Sequence, residues 1–213
     1  MATYDLEEQE QLATLKAWWK DNGNLVLTSV SLVLIAFAAW QAWNYYQRNQ
    51  AAQASALYEN VQKAARAGEV KQVRESAGAI LEQYPRTAYA AMAALVSAKA
   101  HFQGGDLKTA RAQLAWVVEN ARDEGLQDIA RVRLANVMLD EKAHDDALKT
   151  LDAKHGATFD ALFLATRGDV LVAQGKTEEA RAAYNSALEK ADTRDSGLRA
   201  SIQLRLDALG AAK

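Results

Sequence analysis

Gln103-Gly104-Gly105-Asp106, together with Leu107-Lys108-Thr109-Ala110 behind it, is the stretch on which the fold of this chain turns. A glycine pair inside an alanine- and leucine-rich run stops a helix, because the left-handed conformation that ends many helices is open to glycine without steric penalty. The chain must reverse there and begin a second helix. The same device recurs at Arg66-Ala67-Gly68-Glu69 and at Ala173-Gln174-Gly175-Lys176, and Glu141-Lys142-Ala143-His144 occupies the equivalent place without a glycine. Five residues beyond Gly68, Gly105, Lys142 and Gly175 stand Val73, Ala110, Ala147 and Ala180, at intervals of 37, 37 and 33 residues.

Other offsets keep the same register. Four residues after those small residues come Ala77, Leu114, Leu151 and Tyr184, and twelve before them come Val61, Ala98, Ala135 and Gly168. These are the places where a helical hairpin needs, respectively, a packing side chain and a close backbone approach. The interval is that of a tetratricopeptide (TPR) repeat, about 34 residues, with small insertions. Pro85 falls where such a unit stops its second helix, while Lys154-His155-Gly156 cuts the Ala147 unit short. The expected fold is all-α: helix pairs over 52–84, 87–120, 126–154 and 159–191, closed by a cap helix over 196–209 that hides the last apolar face. An ordinary helical bundle with coincidental spacing is the alternative.

Composition agrees and excludes several functions. One proline among many Ala, Leu, Glu, Gln, Lys and Arg favours helix and leaves no place for sheet. The formal charge is -2, with no basic run interleaved with aromatics, so no nucleic-acid partner is expected. No cysteine is present to build a disulfide, a thiolate metal site or a thiol nucleophile. His101, His144 and His155 lack a second ligand at helical spacing, and no phosphate loop, nucleophile elbow or zinc-protease element occurs. No enzyme, metal or cofactor is expected.

Ahead of the repeats, 26 residues from Asn22 to Gln47 carry no formal charge, and Leu25 to Trp43 reads LVLTSVSLVLIAFAAWQAW. At 1.5 Å per residue, 25–46 extends about 33 Å, enough for a hydrocarbon core of about 30 Å. Trp18 and Trp19 precede it and Trp40, Trp43, Tyr45 and Tyr46 close its far side, as amphipathic rings do at headgroup depth. Buried core helix and cleaved signal peptide are the alternatives, the latter because Ala36-Phe37-Ala38 fits a cleavage pattern. Five acids against two bases in the first 24 residues oppose the signal. Lys16 and Lys20 before the span against Arg48 alone in the 15 residues after Gln47 place the amino terminus inside. The expected organisation is a short cytoplasmic segment 1–24, a transmembrane helix 25–46 in the lipid bilayer, and a translocated TPR-like domain 47–213.

Stacked first helices build a concave surface suited to a peptide or a partner's helix. By register it should present Met92, Leu95, Lys99 and Phe102, then Ile129, Val132, Asn136 and Leu139, then Leu162, Ala165, Asp169 and Val172. That lining is mostly apolar with one polar row, and would favour hydrophobic segments over charged tails.

The order of these features resembles one known family. Tyr4-Asp5-Leu6-Glu7-Glu8-Gln9-Glu10, Leu15-Lys16 with Trp18-Trp19 and Asp21-Asn22-Gly23, the aromatic exit from Trp40 to Tyr46, Asp146 to Asp152, Arg167-Gly168-Asp169, Gly175-Lys176 and Ala180-Arg181 together are similar to the ancillary SecYEG translocon subunit (YfgM-like) family. The resemblance implies a Gram-negative inner-membrane anchor with a periplasmic TPR domain. It also implies association with the SecYEG translocon and with a membrane-anchored periplasmic chaperone of the PpiD type, in the handling of emerging secretory chains. It brings no catalytic residues. The rival expectation is a membrane-tethered scaffold for envelope or cell-division proteins.

Overall fold

The computed structural model describes residues 3–210, with side chains from Glu8 onward. The first residues of the acidic start and 211–213, at the end of the expected repeat domain, lie outside the described residues. Helix α1 runs over Thr3–Ala67, followed by α2 (Val70–Gln83), α3 (Ala88–Gln103), α4 (Leu107–Asn120) and α5 (Glu124–Asp140). Then come α6 (His144–Leu151), a 3-10 turn at Ala157–Phe159, α7 (Asp160–Ala173), α8 (Thr177–Lys190) and α9 (Ser196–Ala208). No strand occurs among the described residues. The chain divides into two compact units, Met1–Asn49 and Gln50–Lys213.

The first unit belongs to α1 and contains a stretch long and apolar enough to cross a membrane. None of that stretch is buried by protein: Leu32, Val33, Leu34 and Ile35 are all exposed. Apolar side chains around the whole circumference of a helix need a non-aqueous surrounding. A core helix would bury them against neighbours, and here no neighbour does.

In the second unit the turns repeat one hydrogen-bond pattern. Asp106 N–H donates to the His101 carbonyl at 2.9 Å and Gly105 N–H to that of Phe102 at 3.0 Å. Ala143 N–H to Met138 (2.8 Å) with Lys142 to Leu139 (2.9 Å), and Lys176 to Leu171 with Gly175 to Val172 (both 2.9 Å), are the same pair of bonds. This is the Schellman ending, whose pivot residue is left-handed. Gly68, Gly105 and Gly175 have φ of 72°, 79° and 74°, and Lys142 takes φ of 63° in the same role. The chain therefore turns at Lys142 by register rather than by residue type.

The four small residues and the eight residues twelve before and four after them are all buried. Val73, Ala110, Ala147 and Ala180 are at 0 %, as small residues must be where two helices cross closely. Successive helices pack in chain order, and α3 also touches α5, as α5 does α7. First helices therefore form one layer and second helices the other, as in a TPR stack. Ala54, Tyr58, Val61 and Ala64 on the last turns of α1 share a core with α2 and α3, so residues of α1 complete the first pair.

The irregular third pair has a local cause. Asp128 is 2 % exposed. One of its oxygens accepts from Arg131 at 2.7 Å and the other from the Gly156 N–H at 2.9 Å. A buried carboxylate needs such partners. The His155 ring stacks on Phe163 with centroids 3.8 Å apart, and its Nε2 lies 3.3 Å from Asp160. The segment after α6 is thus tied to α5 and α7, where another turn of helix would break these contacts.

Candidate functional site

The aromatic side chains flanking the apolar stretch are exposed: Trp18, Trp19, Trp40, Trp43, Tyr45 and Tyr46 all face outward from α1. Helical rise separates Trp19 from Trp40 by about 32 Å, close to one hydrocarbon thickness. Thr28 donates its hydroxyl to the Asn24 carbonyl at 2.7 Å, so its polar group is satisfied within the helix. These features suit a bilayer on both interfaces.

The residues expected on the inner face of the repeats separate into three sets. Leu95, Val132 and Ala165 are buried in the core and present no surface. Met92, Leu139 and Leu162 are half-buried and pack on core clusters, and Ile129 is half-buried too. Lys99, Phe102 and Val172 are exposed, the last two at 38 % and 40 %. The inner face of a first helix is also the face toward the next repeat, so much of the expected row is consumed in stacking.

Lys99, Phe102 and Asn136 do come together. They line a cleft of about 360 Å³ between α3, α4 and α5, floored by Ala98, Leu114 and Val137. Its remaining wall is Arg133, which the register reading did not single out. Arg133 lies three residues before Asn136 and so on the same helix face. That spacing is the signal that would have found it. A second cleft of about 330 Å³ uses Tyr58, Gln62 and Arg66 of α1 with Val96, Lys99 and Gln103 of α3. Lys99 is common to both.

Asp169 is engaged elsewhere. The Tyr184 hydroxyl donates to its Oδ1 at 2.8 Å, and Arg205 of α9 reaches its Oδ2 at 2.8 Å. Burial pushes the Asp169 carboxyl above its ordinary range, against the opposing pull of Tyr184 and Arg205. Burial and the nearby carboxylate also push the Tyr184 phenol upward. The trio fastens the cap helix to the last pair. His101, 5 % exposed, places Nδ1 3.1 Å from Asp106, whose other oxygen caps α4 by accepting from Thr109 N–H. The bonds from Thr109, and then the neighbouring His101, hold the Asp106 carboxyl below its usual range.

Among the described residues, no group of three His, Asp or Glu side chains is placed to hold a metal ion. What the unit offers is shaped surface, including two clefts with an apolar floor and cationic edges.

The chain matches the family model described as a tetratricopeptide repeat-like domain over residues 16–211. It is 33 % identical over 205 residues to a protein of Neisseria gonorrhoeae named ancillary SecYEG translocon subunit, covering 96 % of this chain and 98 % of that one. A protein of the same name from Haemophilus influenzae is 32 % identical over 86 % of this chain and 90 % of its own length. Another, from Escherichia coli, is 30 % identical over 85 % and 87 %.

Proposed function

Since this chain belongs to the family of ancillary SecYEG translocon subunits, we propose that it is a membrane-anchored TPR adaptor of the Sec translocon. The chain is held in the inner membrane of a Gram-negative cell by 25–46, with 1–24 cytoplasmic and 47–213 periplasmic. The repeat domain engages a membrane-anchored chaperone of the PpiD type and emerging secretory chains. The family is named for a subunit and not for a reaction, which agrees with a unit built of packing surfaces.

The observation that carries this reading is likeness over nearly the whole chain, anchor and repeats together, to proteins named as translocon subunits. A repeat domain shared alone would speak only for the fold. An anchor places the clefts beside the channel at high effective concentration, so modest affinity for a passing chain or a chaperone suffices.

Affinity purification of the full chain from its own membranes in mild detergent should recover SecY, SecE and SecG with a periplasmic chaperone. A reporter fused after Lys213 should be active only in the periplasm. Recovery of division or envelope proteins without any channel subunit would overturn the reading, as would a cytoplasmic reporter signal.

A further inference from the structure

The two clefts that share Lys99 carry an unbalanced charge. Arg66, Lys99 and Arg133 stand on successive first-layer helices, α1, α3 and α5, and neither cleft has an Asp or Glu in its lining. Among the described residues none of the three cations is in an ion pair, and Arg66 bonds only the neutral amide of Gln62, at 3.2 Å. Elsewhere in the same domain Arg111, Arg131, Arg167 and Arg205 meet carboxylates; what sets Arg66, Lys99 and Arg133 apart from other unpaired cations is that they edge clefts with no acid in the lining. In a chain of net charge -2, a row of three unpaired cations over an apolar floor is a local positive strip. Asp169, which holds on α7 the repeat position that Lys99 holds on α3, carries the opposite sign but is occupied by Tyr184 and Arg205.

We propose that this strip docks an acidic segment of a partner protein, its carboxylates on Arg66, Lys99 and Arg133 and an interleaved apolar side chain against Phe102. Carboxylates are the complement of guanidinium and ammonium groups at a partly dry surface, and arginine forks take them in pairs. The apolar floor selects against a merely charged polymer, since Phe102, Ala98 and Leu114 gain nothing from a polyanion without side chains to bury. This revises the expectation of a groove for hydrophobic segments, and it deepens the adaptor reading above by naming the chemistry of the segment held.

The test is a fluorescence-anisotropy titration of the full chain in phosphatidylcholine nanodiscs with a labelled peptide of Glu and Ala carrying one Leu. Using the purified chain alone, it stands or falls independently of whether channel subunits co-purify. Saturable binding is expected, weakened about tenfold or more by the double variant Lys99→Glu, Arg133→Glu and by replacing the peptide's Glu with Gln. Arg133→Lys, which keeps the charge but loses the fork, should weaken binding far less than the charge reversal, and Phe102→Ala should weaken binding without changing its salt dependence. All three side chains are exposed, and an unchanged melting midpoint confirms that the variants fold. Equal binding of the Gln peptide, or no effect of charge reversal, would overturn the proposal. Displacement of the peptide by phosphatidylglycerol vesicles acting through the same residues would assign the strip to lipid and overturn it too.

Discussion

The ring of Tyr184 on α8 packs against the backbone of Gly168 on α7 so closely that a Cβ at Gly168 would lie 2.6 Å from Cδ1 and 2.8 Å from Cζ. The same ring is held at its far end, where the hydroxyl donates to Asp169 at 2.8 Å. It cannot swing aside without leaving that bond, on the same carboxylate that holds Arg205.

Gly168→Ala should therefore destabilise the repeat unit by about 1–3 kcal/mol, the usual penalty for overpacking a core. The thermal midpoint of the full chain, followed by circular dichroism, should fall by several degrees. In a Tyr184→Ala background the obstacle is gone and the penalty should shrink. Equal penalties in the two backgrounds would show that ring and backbone are not coupled.

Lys142 has φ of 63°, in the role that glycine fills at Gly68, Gly105 and Gly175. An L-residue in the left-handed region costs about 1–2 kcal/mol, part of which glycine returns through greater freedom of the unfolded chain. Lys142→Gly should stabilise the protein by up to about 1 kcal/mol, and Gly105→Ala should destabilise it by a similar amount. Denaturant midpoints of both variants check the signs. A destabilised Lys142→Gly would mean that the lysine side chain contributes more than its backbone costs.

These turns show what was legible in the sequence and what was not. Turn spacing is a property of single positions along the chain, so register identified even Lys142, which carries no glycine signal. Small residues at 0 % exposure were legible for the same reason: helix crossings admit nothing larger. The lining of the clefts depends instead on how repeats rotate against one another. Leu95, Val132 and Ala165 disappeared into the stack, while Arg133 and Arg66, one lying a turn from an expected residue and the other on α1, emerged as walls. The knot at Asp128, Gly156 and His155 joins residues up to 28 apart in sequence, and no local pattern announced it.

Acid should separate two carboxyl groups whose pKa shifts run in opposite directions. Asp106 has a folded pKa lowered from 3.8, by the bonds from Thr109 first, so its contribution is fully present above that value. It is lost as pH falls through the folded pKa. Asp169 has a folded pKa raised from 3.8 by burial, so the fold binds its proton more readily than the unfolded chain does. Its contribution therefore improves as pH falls through the raised value toward 3.8. Measured against the parent by denaturant unfolding at stepped pH, Asp106→Asn should be the less stable at neutral pH, with the gap closing below 3.8. The parent should gain on Asp169→Asn as the medium is acidified from neutrality. Parallel slopes for the two variants would contradict this assignment.

The anchor makes the last prediction, because burial in protein and burial in lipid part company there. Ile35 is 65 % exposed in the structure, so nothing in the protein resists an arginine at that position. A helix that never entered a bilayer would accept Ile35→Arg without loss. Under the reading proposed above, Ile35 lies near the middle of the span, where an arginine costs about 2.5–3.5 kcal/mol on the insertion scale. At Gln47, one residue beyond the proposed span, the same charge reaches the headgroups and costs little. Alkaline carbonate extraction of cell membranes should therefore release a markedly larger share of Ile35→Arg than of the parent, while Gln47→Arg stays with the pellet. If both variants are retained alike, the apolar stretch is not crossing the hydrocarbon at 25–46, and the aromatic residues on either side of it mark something other than the two interfaces.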